Sequence, residues 1–95
     1  GFAVNITPHI IAGAGFLYLQ MNRLEQVAIL IGQLEHIPHD HDFKTLRLAV
    51  LLKELSQKMS MDDIQAISHG QTPRPPMDIL NDVLEDFLRL DNTRF

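Results

Sequence analysis

The sequence predicts an all-α domain of about five helices, packed as antiparallel helical hairpins and closed by a C-terminal capping helix. Apolar residues recur at helical spacing over most of the 95 residues, whereas the alternation typical of strands never lasts beyond a few positions. Proline and glycine divide this pattern into predicted helices near 8–20, 23–37, 42–57, 60–69 and 76–90. The loops between the first four helices are two to four residues long, so neighbouring helices are expected to pack antiparallel.

The first helix is predicted to begin at Thr7-Pro8, because threonine caps free amide groups and proline fits the first helical position. Residues 1–7 then form an N-terminal tail. No charged residue precedes Arg23, so the first helix is apolar nearly all round. Such a helix is expected to be covered, either by a partner chain or by the C-terminal helix folding back over it.

The next three helices have predicted start and stop residues. Asn22 is expected to cap the second helix, with Glu25 as its capping-box partner. Asp42 and Ser60 are expected to cap the third and fourth helices, and Gly70 to end the fourth. The second helix carries an apolar stripe and further apolar residues beside it, which indicates burial between neighbours; the stripe is Leu24, Val27, Ala28, Ile31, Leu34 and Ile37.

Residues 70–76 contain three prolines and a glycine, which predicts a stiff connector without helix. The segment 77–95 that follows is predicted to be an acidic amphipathic helix and tail. Residues 78–91 carry five acids and one base, so their net charge of −4 equals that of the whole chain. This acidic face is either a solvated surface or a site for a basic partner.

Residues 8–69 follow the spacing of a tetratricopeptide repeat in the first hairpin, where small residues let two helices approach and large ones fill the gap to the next hairpin. The residues that take the repeat positions, counted from Pro8, are Gly15, Tyr18, Leu24, Val27, Ile31 and Pro38, whereas Leu34 stands where alanine is usual. A second, degenerate unit begins at Asp42, with Ala49 at the small position and Leu52 at the large one. A generic helical bundle whose spacing matches by chance is the alternative.

The chain resembles the small tetratricopeptide-like chaperones of bacterial type III secretion systems, most closely the YscY type and next the YscG needle-subunit chaperones. The resemblance spans about residues 15–69 and is carried by Phe16-Leu17-Tyr18-Leu19-Gln20, Glu25, Ile29-Leu30, Leu34, Pro38 and Val50-x-Leu52. It implies a cytoplasmic bacterial protein that binds and stabilises a small export component before secretion, as a heterodimer. Peripheral attachment at the inner membrane and contact with the export gate are further expectations.

The predicted mechanism is sequestration of the amphipathic helix of a client, whose apolar face would be buried against the first hairpin and the third helix. The residues expected to contact the client are Phe16, Tyr18, Leu19, Arg23, Leu48, Leu51 and Leu52. The alternative is a self-associating regulatory module, in which the same apolar surface closes a homodimer and no export client exists.

Other function classes lack their sequence signals. The chain has no cysteine, no phosphate-binding glycine loop and no nucleophile elbow, so we expect neither an enzyme nor a cofactor or small-molecule substrate. The net charge of −4 argues against a nucleic-acid partner, and no apolar run is long enough to predict a membrane span. Gly13-Ala14-Gly15 is interpreted as close helix packing.

The one polar cluster is the loop at residues 36–42. His36, His39 and His41 are candidate metal ligands beside Asp40 and Asp42, which leaves a metal-linked sensor as a third hypothesis. Pro38 interrupts the cluster, and its residues also have structural explanations as helix-end and solvated loop residues.

Overall fold

The computed structural model describes residues 2–37, 43 and 47–93. Five helices lie in these ranges and no strand does: α1 (Phe2–Gln20), α2 (Leu24–Glu35), α3 (Ala49–Ser56), α4 (Met61–His69) and α5 (Pro76–Thr93). The all-α prediction is therefore confirmed, and the helices pack closely against one another. The predicted capping residue Asp42 lies outside the described residues.

Helix α1 begins at Phe2 and contains Pro8 in its interior, so the predicted start at Thr7-Pro8 is wrong. Proline has a helical φ and removes only one backbone hydrogen bond from the turn that contains it, so a helix can continue through it at a cost. Thr7 and Pro8 are both buried, and packing of this turn against the rest of the domain opposes that cost.

The turn between α1 and α2 is a Schellman motif built on Asn22, which has a left-handed backbone with φ of 61°. The Arg23 amide donates to the Tyr18 carbonyl at 2.9 Å, and the Asn22 amide donates to the Leu19 carbonyl at 3.1 Å. Asn22 thus ends α1, and the prediction that its side chain caps α2 is wrong. The residue before α2 is Arg23, which makes no side-chain capping bond. Asparagine is compatible with a helix start, where its side chain can cap free amides, and with a helix end, where it tolerates the left-handed conformation.

The core is centred on the hairpin of α1 and α2, against which the other three helices pack. α3 contacts both helices, α4 packs chiefly on α2, and α5 packs on α1. The largest fully buried side chains of this core are Ile11, Val27, Ile31, Leu34, Phe43, Leu51, Leu55, Ile64 and Ile79. The predicted burial of the second helix between neighbours is confirmed.

Two glycines mark the closest helix contacts. A Cβ on Gly15 would lie 2.8 Å from a methyl group of Leu51, so the small residue lets α1 approach α3. A Cβ on Gly32 would lie 2.3 Å from the backbone carbonyl oxygen of Ser68, which shows that α2 and α4 meet almost backbone to backbone. Gly13 has nothing within 4 Å of that position, so its predicted role in close packing is wrong.

The start and end of α4 agree with the sequence. The Ser60 hydroxyl accepts a hydrogen bond from the Asp63 amide at 3.2 Å, and Gly70 is the C-cap residue. Residues 71–75 contain no helix, and α5 begins at Pro76. α5 then returns along α1, which confirms one of the two expected ways of covering the first helix.

Candidate functional site

Tyr18 joins α1 to α5 through two contacts. Its hydroxyl donates a hydrogen bond of 2.6 Å to Asp86 Oδ2, and its ring stacks on Phe87 with centroids 5.0 Å apart. The Schellman turn brings Arg23 to the same carboxylate, with Arg23 Nη1 at 3.7 Å from Asp86 Oδ2. One carboxylate of α5 therefore receives both a phenol and a guanidinium from the α1–α2 turn.

The electrostatics of this cluster favour a neutral Tyr18. Burial raises the pKa of the phenol above its usual range, and the hydrogen bond to Asp86 and the negative charge of Asp86 raise it further. The positive charge of Arg23 lowers the pKa of Tyr18, but it does not reverse the shift. The phenol thus remains a hydrogen-bond donor well above neutral pH.

A salt bridge also joins the proline-rich connector to the first turns of α5. Arg74, in the proline-rich connector, lies 2.6 Å from Asp82 Oδ2 across the first turns of the helix. A cavity of about 210 Å³ lies between α5 and α2, and its lining on α5 runs from Ile79 to Arg89. Asp82 and Asp86 of the acidic helix therefore form ion pairs within the domain, whereas Asp78 and Glu85 are exposed to solvent.

A larger groove of about 460 Å³ lies between α1 and α3, and it is called the α1/α3 groove below. Its lining combines apolar, polar and charged side chains: Phe16, Leu19, Gln20, Val50, Glu54 and Lys58. Val50 is 40% exposed there, and Phe16 is half-buried. Apolar surface with charged groups beside it is the chemistry expected of a site for an amphipathic helix.

The seven residues predicted to contact a client do not form one surface. Phe16 and Leu19 line the α1/α3 groove, whereas Tyr18 and Arg23 bind α5. Leu48 and Leu51 are core residues, at 7% and 0% exposure, and Leu51 underlies Gly15. Leu52 is half-buried against the core and lies about 200° around α3 from Val50, on the far edge of the helix.

A second apolar surface, absent from the predicted contact residues, runs along α1 and α5. It consists of Ile10, Leu17 and Met21 on α1 and Met77, Leu84 and Leu88 on α5, and is called the α1/α5 face below. Each of these side chains is between 43% and 65% exposed. The spacing of seven and then four residues is the same on both helices, and it is visible in the sequence once α5 is known to lie beside α1.

The candidate metal ligands are only partly within the described ranges. His36 is exposed at the C-terminal end of α2, and its Nε2 lies 3.2 Å from the carbonyl oxygen of Gln71, which accepts the hydrogen bond. His39, Asp40, His41 and Asp42 lie outside the described residues. Within 2–37, 43 and 47–93, no group of three or more histidine, aspartate or glutamate side chains is placed to hold a metal ion.

Comparison with protein families, with curated proteins and with solved structures gave no match to this chain. The part of the chain that the structure describes also contains no helix with the length and hydrophobicity needed to span a bilayer.

Proposed function

We propose that this chain is a helix-binding chaperone of the type III secretion kind, which holds an amphipathic helix of a small export component in the α1/α3 groove. The observation that carries the proposal is the composition of that groove. Phe16 and Val50 offer apolar surface from two helices, and Glu54 and Lys58 supply charged groups beside it. The secretion context rests on the resemblance over residues 15–69 and on nothing else.

The groove is suited to a helix because of how its walls are built. The two walls approach closely at Gly15, where a Cβ would lie 2.8 Å from a methyl group of Leu51, so the groove is expected to be preformed. A client helix would then lie on a preformed surface and would lose its own conformational freedom without requiring the groove to order. The client would thereby be kept soluble, because its apolar face would be removed from water.

Binding would stabilise the chaperone as well as the client. A domain of this length buries only roughly 60–65% of the surface that its unfolded chain exposes, so its own stability is small. A ligand that binds only the folded state raises the free energy of unfolding, and about 100-fold excess over the dissociation constant adds about 2.7 kcal/mol. Client binding is therefore expected to raise the unfolding midpoint.

The test is co-expression of the chain with each small protein encoded beside its gene, followed by size-exclusion chromatography and thermal unfolding of any complex. Val50→Asp places a charge in the groove and is expected to abolish co-elution and the rise in midpoint. Met61→Asp is the matched control, because Met61 is similarly exposed on α4 but outside the groove. The proposal fails if no neighbour binds, or if Val50→Asp binds as well as Met61→Asp.

A further inference from the structure

The α1/α5 face is a single continuous surface because α1 and α5 run parallel. The short Schellman turn makes α2 antiparallel to α1. Asp86, in the second half of α5, meets Arg23 just before α2, whereas Gln71, five residues before α5 begins, contacts His36 at the end of α2. α5 is therefore antiparallel to α2, and so it runs in the same direction as α1.

Parallel packing places the two exposed lines of apolar side chains on the same side of the helix pair. Tyr18 and Phe87 mark where the helices touch. Leu17 and Met21 lie on the edge of α1 turned away from α2, and Leu84 and Leu88 lie on the corresponding edge of α5. Because Tyr18 contacts Asp86 and Phe87, the equal spacing also places Leu17 near the level of Leu84 and Met21 near the level of Leu88, within about one turn.

The size of this face fits a specific protein interface. Six large apolar side chains, each 43% to 65% exposed, lie together on this face. An apolar patch on the order of 600 Å² is the upper end of what monomers normally expose and roughly what each partner contributes to the smaller specific interfaces. The face is also separate from the α1/α3 groove, which lies on another edge of α1.

The charges beside the face favour one of the two symmetric arrangements of a second copy. Beyond Leu88 around α5 lie the exposed acids Asp78 and Glu85, whereas α1 carries no charged side chain other than His9 when protonated. Two copies related by a twofold axis along the helices would place α1 of each copy over α5 of the other. That arrangement buries both apolar lines and sets each acidic edge against a neutral helix instead of another acidic edge.

We propose that the α1/α5 face is the interface of a symmetric homodimer, in which α1 of one copy packs on α5 of its partner. The interface covers the apolar surface that the C-terminal helix leaves exposed after folding back. It is independent of client binding, because it uses none of the side chains that line the α1/α3 groove. Dimerisation also makes the stability of this small domain depend on its concentration.

Sedimentation velocity of the full chain over a range of concentrations tests this arrangement. The expected result is a reversible monomer–dimer equilibrium that reaches mostly dimer by about 100 μM, the range of weak specific interfaces. Leu84→Glu is expected to raise the dissociation constant about 30-fold or more, because it buries a charge at the centre of the interface. Leu17→Glu is expected to do the same from the facing helix.

Two controls keep the result interpretable. Leu84→Lys is expected to weaken the dimer as Leu84→Glu does, since either charge is desolvated, and Met61→Glu on α4 is expected to leave it unchanged. Circular dichroism establishes that each variant keeps the helical content of the wild type. A monomer at all concentrations, a larger assembly, or a dimer that survives both Leu17→Glu and Leu84→Glu overturns the proposal.

Discussion

Tyr18 is the side chain through which the first hairpin recognises the C-terminal helix. Tyr18 is 68 residues away from Asp86 in the sequence, yet it contacts both Asp86 and Phe87. Sequence spacing predicted a large aromatic at this position and its amphipathic character, but it assigned the polar tip to a partner protein. The hydroxyl instead meets a carboxylate of the same chain, because the Schellman turn directs Arg23 and Tyr18 to one side.

Replacing Tyr18 with phenylalanine is expected to lower the free energy of unfolding by about 1–2 kcal/mol, because it removes a hydrogen bond to a charged acceptor while keeping the stacked ring. Arg23→Ala is expected to cost less than about 1 kcal/mol, since its pair with Asp86 is long and half-exposed. Urea unfolding followed by circular dichroism measures both. A larger loss in Arg23→Ala than in Tyr18→Phe would contradict this order.

The raised pKa of Tyr18 predicts how stability depends on alkaline pH. The folded state holds the phenolic proton more tightly than the unfolded state, so this contribution to stability is complete below the unfolded pKa of about 10 and is lost as the pH rises above it. Tyr18 is the sole tyrosine of the chain, so tyrosinate absorbance reports this group alone. The native protein is expected to ionise at higher pH than the same protein in concentrated urea.

Asp86→Asn is the control for that titration. It removes the negative charge and weakens the hydrogen bond while leaving Tyr18 largely buried, so the ionisation of Tyr18 is expected to move back toward its usual pH. Equal titration curves for the native and urea-unfolded wild type, with helical content retained, would contradict the assigned environment.

The helices themselves were predictable because their apolar spacing is local, whereas their boundaries depended on competing local signals. Pro8 fits the first turn of a helix, but burial of its turn carries α1 through it. Asn22 fits either a helix start or a helix end, and the two amide hydrogen bonds of the Schellman turn decide for the end. Ser60 had no such competing role, and its predicted cap is confirmed.

The contrast between two glycines gives a prediction for the packing of helices. Gly32→Ala is expected to cost about 2–3 kcal/mol, because the new methyl group would meet the backbone of Ser68 and force α2 and α4 apart. Gly13→Ala is expected to stabilise by up to about 1 kcal/mol, because alanine favours the helix and the space is open. Opposite shifts of the thermal midpoint would support both, and shifts of the same sign would contradict the contact between α2 and α4.

The assembly of the five helices depends on contacts between residues far apart in sequence, and these limited what the sequence could predict about the site. The pattern offered two ways of covering α1, and it could not choose between them because both bury the same side chains. Tyr18 is occupied by its contacts with α5, and Leu48 and Leu51 are buried in the core, so these three predicted contact residues are not available to a client. Among the described residues, the apolar surfaces that remain for partners are the α1/α3 groove and the α1/α5 face.

The contact of α5 with α1 predicts that the domain unfolds as one unit. Tyr18 is also the principal fluorophore, because the chain has no tryptophan, and its emission reports the contact with α5. Fluorescence and far-ultraviolet circular dichroism are therefore expected to give the same urea midpoint. Val83→Ala, at a buried position of α5, is expected to lower the free energy of unfolding by about 2 kcal/mol and so to lower both midpoints together. The exposed Glu85→Ala is expected to change the free energy of unfolding by no more than about 0.5 kcal/mol. A fluorescence midpoint that falls below the midpoint from circular dichroism would mean that α5 detaches first, since the hairpin of α1 and α2 keeps its own core contacts when α5 leaves.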